Sequence, residues 1–300
     1  MKKAIVVLIV MVCLTAGIWG IFMLRGSAGK AGGHVENDNG NPGVAADVTE
    51  SGTTREEQTA DSQETTEVTE EEKPSLVDET LAGMTLHEKV CQMMFVTPEE
   101  LTGEDGVTVA GDATRQALEN YPVGGIVYFA KNLESQDQVK EMIDNSQKYS
   151  SIGLFVATDE EGGVVNRLMD TVGTTYIGSM YYYKDDGDET AYENAYTIAN
   201  DMSALGFNLD FAPVADVWSN PDNTVIGERA YSDDYAQAAE LVGNAVKGFN
   251  DGGVMCTLKH FPGHGDTAED SHYSSAYVHR TKEEIMADEM QPFRSGIEAG

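Results

Sequence analysis

The class of fold is most constrained by a regular alternation of apolar runs and helical segments, which begins near Leu76. Apolar runs of strand length occupy residues 93–96, 124–129, 154–158, 208–214 and 254–258. Segments with helical periodicity occupy residues 115–121, 136–150, 190–205, 235–251 and 283–299. This alternation is typical of right-handed βαβ units around a parallel sheet that is buried on both faces. The pattern alone allows a doubly wound sheet or a (β/α)8 barrel.

Polar residues collect directly after successive apolar runs, which favours the barrel. The residues that follow the second to fifth runs are Lys131, Asn132, Asp159, Asp216, Lys259 and His260. In a barrel, the carboxyl ends of the strands form one rim, and enzymes place their chemistry there. No G-x-G-x-x-G motif follows any run, which argues against a dinucleotide site. We therefore predict an α/β fold, a (β/α)8 TIM-type barrel of which about five β/α units are present, and expect the natural chain to continue beyond Gly300.

The first 75 residues have a different composition from the predicted barrel. Residues 4–24 carry no charge and follow two lysines, and this length is enough to span a bilayer. We predict that residues 1–25 are a signal anchor, or a signal peptide if cleavage occurs. Residues 26–75 are rich in Gly, Ser, Thr, Glu and Asp, which predicts a disordered acidic tether. The barrel at 76–300 would then lie outside the cytoplasm, either anchored to the membrane or secreted.

The charge and the cysteine count exclude several classes of function. The formal net charge is -32, and nucleic-acid binding requires clustered Lys and Arg. We therefore expect no nucleic-acid partner. The three cysteines cannot form a complete disulfide framework, and no C-x-x-C pair suggests zinc or redox chemistry. We expect a monomer.

The densest group of chemistry-bearing residues follows the fifth apolar run. It reads K-H-F-P-G-H-G-D-T at 259–267, and Asp270-Ser271-His272 follows it. Because Asp270 and His272 are two residues apart, the carboxylate can orient the imidazole. Three shorter motifs precede this string: D-E-E-G-G at 159–163 with Arg167, N-L-D-F-A-P-V-A-D-V at 208–217, and I-G-E-R-A-Y-S at 226–232.

In this order, the four motifs resemble the catalytic barrel of family 3 glycoside hydrolases, and specifically its β-N-acetylglucosaminidase branch. The resemblance covers residues 76–300 and implies retaining hydrolysis of terminal β-linked N-acetylglucosamine from cell-wall or other glycans, with no metal or organic cofactor. It implies that Asp270 and His272 form an acid/base dyad. The sugar-binding positions that it implies are Asp159, Arg167, Arg229, Lys259 and His260. His264 and Asp266 would shape the loop.

The sequence departs from the family pattern at two points. The family's nucleophile is an aspartate after the seventh strand, and no residue before Gly300 matches that motif. We therefore expect residues 1–300 alone to be inactive and poorly stable. Many relatives carry arginine where this chain has Val164.

The two neighbouring residues Lys259 and His260 would face opposite sides of a regular strand. Both reach one sugar only if the strand kinks there, and we predict a cis peptide at Phe261–Pro262 that accompanies the kink. A simpler interpretation of Arg229 is an ion pair with Asp233 or Glu228.

Several other functions remain open. One is a β-glucosidase of the same family, although such enzymes lack the D-S-H loop, and another is glycosyl transfer to phosphate. A third is a noncatalytic glycan-binding protein that keeps Asp159, Arg167 and Lys259 but lacks a nucleophile. A fourth is a metal site, whose ligands would be His260, His264, Asp266, Asp270 and His272.

Overall fold

The computed structural model describes residues 75–268, 273 and 275–300. The predicted membrane segment and the tether up to residue 74 therefore lie outside the described residues. Among the residues that are described, no helix is both long enough and apolar enough to span a bilayer. The short helix α1 (Leu76–Gly83) belongs to one compact unit, and residues 84–300 belong to a second unit, which carries the candidate site.

Within the described residues, five short parallel strands form one sheet in the order of the sequence. The strands are β1 (Phe95–Val96), β2 (Gly125–Val127), β3 (Phe155–Thr158), β4 (Leu209–Asp210) and β5 (Met255–Cys256). A doubly wound sheet reverses its strand order at a switch point, whereas the wall of a barrel keeps the sequence order. The predicted α/β class with a parallel, barrel-type sheet is therefore confirmed.

The helices of the second unit alternate with these strands. The α-helices are α2 (Leu86–Cys91), α3 (Pro98–Thr102), α4 (Asp112–Asn120), α5 (Gln136–Tyr149), α6 (Leu168–Val172), α7 (Asp188–Leu205), α8 (Tyr235–Asp251), α9 (Lys282–Ala287) and α10 (Met290–Ala299). Short 3₁₀ helices occupy Ala130–Asn132, Met180–Tyr183 and Gly227–Arg229. Thr85 and Glu88 form the capping box that begins α2.

Several predicted elements differ from the structure in their extent, such as the runs at 93–96 and 254–258, which contain the shorter β1 and β5. Two others differ most. The single helix expected at 283–299 is divided into α9 and α10 at Asp288, whose carboxylate binds Arg280 together with that of Glu289. The strand expected at 208–214 pairs regularly only at β4, because Pro213 has no N–H to donate. The pairing continues irregularly: Ala212 O accepts from Thr257, and Pro213 O accepts from Lys259 at 3.2 Å.

The main core lies between the sheet and the outer helices. Its largest buried side chains include Tyr128, Phe207, Phe249, Met142 and Met202. Helix α8 approaches α7 closely at Gly248, where a Cβ would lie 2.3 Å from the carbonyl oxygen of Tyr192. This packing fixes the helices behind β4 and β5, and with them the carboxyl ends of the strands that carry the site.

Candidate active site

Charged side chains from three segments meet at the carboxyl ends of β3 and β5. The Nζ atom of Lys259 lies 2.7 Å from Oδ1 of Asp159 and 2.6 Å from Oε1 of Glu161. Arg229 binds Glu161 through two parallel contacts, Nε to Oε2 and Nη2 to Oε1, each 2.8 Å long. We call Asp159, Glu161, Arg229, Lys259 and His260 the charge cluster. Its two carboxylates and two cations balance, apart from His260 and the buried Asp216 that contacts it.

Burial strengthens the electrostatic coupling within the charge cluster. Only 4% of the Glu161 side chain and 13% of the Lys259 side chain are exposed. Burial alone would raise the pKa of Glu161, but the charges of Lys259 and Arg229 outweigh it and lower the pKa. Burial would likewise lower the pKa of Lys259, but Glu161 and Asp159 hold it above its ordinary value. Both side chains therefore stay charged at neutral pH.

His260 is oriented by the buried carboxylate of Asp216. Its Nδ1 lies 2.6 Å from Oδ2 of Asp216, and its backbone N–H donates to the same oxygen. On the other side of the ring, Nε2 lies 3.3 Å from Nη2 of Arg229, a guanidinium nitrogen that can only donate. This arrangement places the proton on Nδ1 and leaves Nε2 as an acceptor facing the charge cluster. The side chains of the neighbouring residues Lys259 and His260 thus face the same site, as the predicted kink of the strand requires.

The backbone in this segment departs from a regular strand. The Phe261–Pro262 peptide is cis, as predicted, and the Lys259–His260 peptide is cis as well. An isolated bridge joins Lys259 to Val214 beyond the ends of β4 and β5. This bridge brings the segment next to Asp216, which orients His260.

Arg167 lies apart from the hydrogen bonds of the charge cluster in the part of the chain that is described. Its guanidinium donates to Asn166 O at 3.3 Å, and its Nε atom is buried without a partner there. The neighbouring carboxylate of Glu160 accepts the backbone N–H groups of Arg167, Leu168 and Met169 at the start of α6. Glu160 therefore caps α6, and sugar binding by Arg167 stays a prediction.

Hydrogen bonds to Asp216 and Asn223 fix the described part of the loop after β5. The backbone N–H of His264 donates to Asp216 at 2.6 Å, and its carbonyl accepts from Asn223 at 2.7 Å. A Cβ on Gly265 would lie 1.7 Å from the carbonyl oxygen of Val217, so only glycine permits this approach. Asp266 contacts Ser219 at 3.4 Å. These bonds fix the loop as far as residue 268.

Asp270 and His272 lie outside the described residues, so the acid/base dyad stays a prediction. Beyond this segment the chain is anchored by Arg280. Its guanidinium contacts the 3% exposed Glu289 at 2.7 Å and the Tyr235 hydroxyl at 2.7 Å. Arg280 and the loop before residue 268 therefore fix both ends of the segment that carries the predicted dyad.

The described residues contain no group of three or more His, Cys, Asp or Glu side chains placed to hold a metal ion. Of the predicted ligands, His260 and His264 have their rings 6.0 Å apart. Asp216 contacts the ring of His260 and the backbone N–H of His264. Of the other three ligands proposed from the sequence, Asp266 contacts Ser219 at 3.4 Å, and Asp270 and His272 lie outside the described residues.

The chain matches the family model described as "Glycosyl hydrolase family 3 N terminal domain" over residues 85–300, which is most of its length. The chain belongs to glycosyl hydrolase family 3.

Relatives within family 3 are similar over part of their length. A β-N-acetylglucosaminidase from Paenibacillus sp. str. FPU-7 gives a TM-score of 0.66 at 38% identity, over 72% of this chain and 40% of that one. Beta-hexosaminidase A of Pseudoalteromonas piscicida is 35% identical over 61% of this chain and 32% of its own length. Beta-hexosaminidase of Haemophilus influenzae is 36% identical over 61% of this chain and 52% of its own length. The chain thus spans about half the length of these relatives, or less.

The sequence interpretation missed one member of this site, Glu161, and the alternative partners that it offered for Arg229 were wrong. Arg229 pairs with neither Asp233 nor Glu228 but with Glu161, 68 residues earlier in the chain. Asp233 instead binds Lys184. Glu161 could have been found from its spacing, because residues two apart in an extended segment point to the same side, and Asp159 precedes it by two.

Two buried aspartates in the family 3 domain give a matched test of this electrostatic account. Asp210 and Asp216 are at most 1% exposed, and each accepts a backbone N–H. Burial would raise the pKa of Asp216, but His260 and the backbone N–H groups outweigh it and lower the pKa. Burial raises the pKa of Asp210 well above its ordinary value. The charged form is therefore favoured at Asp216 and disfavoured at Asp210.

We expect Asp216→Asn to lower the free energy of unfolding at pH 7 by about 2–3 kcal/mol, because a charged acceptor is lost. Asp210→Asn should lower it less, since burial already disfavours the charged form of Asp210. A depressed pKa stabilises the fold above the ordinary value of 3.8 and loses this effect as pH falls through the folded-state pKa. The difference between Asp216→Asn and wild type should therefore shrink in acid. Urea unfolding at several pH values measures this, and equal losses for both variants would contradict it.

Proposed function

We propose that the protein is a retaining glycosidase that removes terminal β-linked N-acetylglucosamine from cell-wall or other glycans. The observation that carries the proposal is the mostly buried charge cluster at the carboxyl ends of β3 and β5. The similarity to a β-N-acetylglucosaminidase and to beta-hexosaminidases supports this choice of sugar.

The charge cluster has the chemistry that a neutral sugar requires. Hydroxyl groups both donate and accept, so a binding site needs fixed acceptors and donors in alternation. Asp159 supplies an acceptor and Lys259 a donor, and Nε2 of His260 accepts from the sugar once its 3.3 Å contact with Arg229 is exchanged. Glu161 does not bind the sugar in this proposal, because Arg229 and Lys259 contact both of its oxygens. It fixes the two cations in place, which lowers the entropy lost when a sugar binds.

In this proposal the Asp270–His272 dyad carries out the proton transfers. The imidazolium of His272 donates a proton to the leaving glycosidic oxygen, and the neutral imidazole then takes a proton from the attacking water. Retention also needs a carboxylate that forms the glycosyl-enzyme, and no motif within residues 1–300 matches the family's nucleophile. The proposal for hydrolysis therefore concerns protein expressed from its complete reading frame.

The test compares 4-nitrophenyl β-N-acetylglucosaminide with 4-nitrophenyl β-glucoside as substrates of that protein. We expect turnover with a clear preference for the N-acetylglucosaminide. Asp159→Asn should lower kcat/KM strongly, whereas Asp170→Asn, a similar change at an exposed residue of α6, should not. Faster cleavage of the glucoside would favour a β-glucosidase instead. Saturable glycan binding without turnover would favour a noncatalytic glycan-binding protein, and a sugar phosphate formed in phosphate buffer would show transfer to phosphate.

We further propose that residues 4–24 anchor the protein to the membrane and place residues 76–300 outside the cytoplasm. The uncharged length of residues 4–24 supports an anchor, and the two lysines before it support a cytoplasmic N-terminus. We expect the protein in the membrane fraction, with release of residues 76–300 by protease cleavage between 26 and 74. A soluble secreted protein that begins near Gly29 would contradict the anchor.

A further inference from the structure

A cavity rich in tyrosine adjoins the charge cluster and has no part in the hydrolysis described above. Its volume is about 440 Å³, and the loop after β3, the segment 176–183 and the 3₁₀ helix Gly227–Arg229 form its walls. The lining residues that matter here are Gly163, Val164, Tyr176, Tyr182, Tyr183 and Glu228. We call it the tyrosine cavity.

The tyrosine cavity is built on the same two chain segments as the charge cluster. Gly163 follows Glu161 by two residues, and Glu228 directly precedes Arg229. Glu161 and Arg229 are joined by their paired 2.8 Å contacts, so these contacts also hold the two walls of the cavity together. In a 3₁₀ helix, successive side chains are about 120° apart. Arg229 can therefore face the charge cluster while Glu228 faces the cavity, and a ligand can extend from one to the other.

Close backbone contacts fix the shape of this cavity. Gly163 has φ +59°, and a Cβ there would lie 2.2 Å from Oγ of Ser179. The backbone N–H of Gly178 donates to the Tyr183 hydroxyl at 3.2 Å. The Gly163 N–H donates to Ile177 O at 2.8 Å. Since these contacts form the walls before any ligand binds, the cavity is a preformed site.

The lining of the cavity combines open aromatic rings with one carboxylate. Tyr176 is 74% exposed and Tyr182 is 69% exposed, so both rings are open to a ligand. The carboxylate of Glu228 beside the Tyr182 hydroxyl raises the pKa of that tyrosine. Among the ion pairs of the described residues, none includes Glu228. Its negative charge is therefore available to a ligand.

We propose that the tyrosine cavity binds a second, neutral sugar ring, next to the one held by the charge cluster. The apolar face of a pyranose packs on a tyrosine ring, and its hydroxyl groups donate to the Glu228 carboxylate. A sugar that carries a carboxylate would be repelled by Glu228. The inference rests on the proposed function, because the second ring belongs to the glycan whose terminal N-acetylglucosamine occupies the charge cluster. To the proposed function, the second site adds a preference for neutral glycans of at least two rings.

The test is calorimetric titration of the protein with N-acetylglucosamine and with a non-hydrolysable, thio-linked dimer of it. The monosaccharide reports on the charge cluster, and the gain in affinity of the dimer reports on the tyrosine cavity. We expect the dimer to bind about tenfold more tightly. Tyr182→Ala should reduce that gain by about 3- to 10-fold and leave monosaccharide binding unchanged, since one packing surface is lost. Tyr182→Phe, which keeps the ring, should retain most of the gain.

Charge selectivity provides the second arm of the experiment. A thio-linked dimer whose second ring carries a carboxylate should bind more weakly than the neutral dimer, and Glu228→Gln should remove that difference. Equal affinities for the monosaccharide and the neutral dimer, unchanged in Tyr182→Ala, would overturn the inference while leaving the proposed function in place. Failure of every one of these ligands to bind would overturn the proposed function, and the inference with it.

Discussion

Lys259→Met is expected to destabilise the protein by about 3–5 kcal/mol, because it leaves the buried carboxylate of Glu161 with one cation instead of two. For a domain of this size, such a loss lowers the melting temperature by about 6–20 °C. The variant should also lose measurable affinity for N-acetylglucosamine, since Lys259 is a donor of the charge cluster. Thermal unfolding and ligand titration measure the two effects.

Lys184→Met is the matched control for this change. Lys184 pairs with Asp233 at 2.9 Å, close to the 2.7 Å of the Lys259–Asp159 contact, but Asp233 is half exposed. Solvent screens an exposed pair, so the same substitution should have a much smaller effect on the melting temperature. Equal decreases of the melting temperature for the two substitutions would show that burial does not strengthen the ion pairs of the charge cluster.

Replacing His272 by alanine is expected to lower the hydrolysis of unactivated β-N-acetylglucosaminides by about 10²–10⁴, the contribution of a general acid/base. An aryl glycoside with a good leaving group needs little protonation, so its cleavage should fall less. Asp270→Asn should shift the pH–rate profile to lower pH, because the imidazolium loses its partner. Steady-state kinetics on both substrate types measure this, and equal losses on good and poor leaving groups would remove His272 from the acid/base role.

Much of the fold could be predicted because its signal is local. The apolar runs at 124–129 and 154–158 contain β2 and β3, and α7 ends at Leu205, where the helical periodicity at 190–205 also ends. Gly206 follows it in the left-handed conformation, with φ +98°. The division of the predicted helix at 283–299 was not foreseen. It depends on Arg280, which binds two carboxylates at the junction of α9 and α10 and has no periodic signature.

The motifs identified most residues of the charge cluster, but the partners of those residues depend on long-range contacts. Lys259 meets Asp159 across 100 residues, and Arg229 meets Glu161 across 68. A nearby opposite charge, such as Glu228 or Asp233 for Arg229, is the natural choice from sequence alone, and it was wrong here. The position of each side chain is set by the order of strands in the sheet, which local spacing does not encode.

The most direct measurement is a crystal structure of the protein with N-acetylglucosamine bound. The account predicts one sugar ring at the carboxyl ends of β3 and β5. Its hydroxyl groups should lie within hydrogen-bond distance of Asp159, Lys259 and His260, and Glu161 should remain bound to Arg229. A ring bound elsewhere on the protein, with these side chains untouched, would contradict the assignment of the charge cluster as the sugar site.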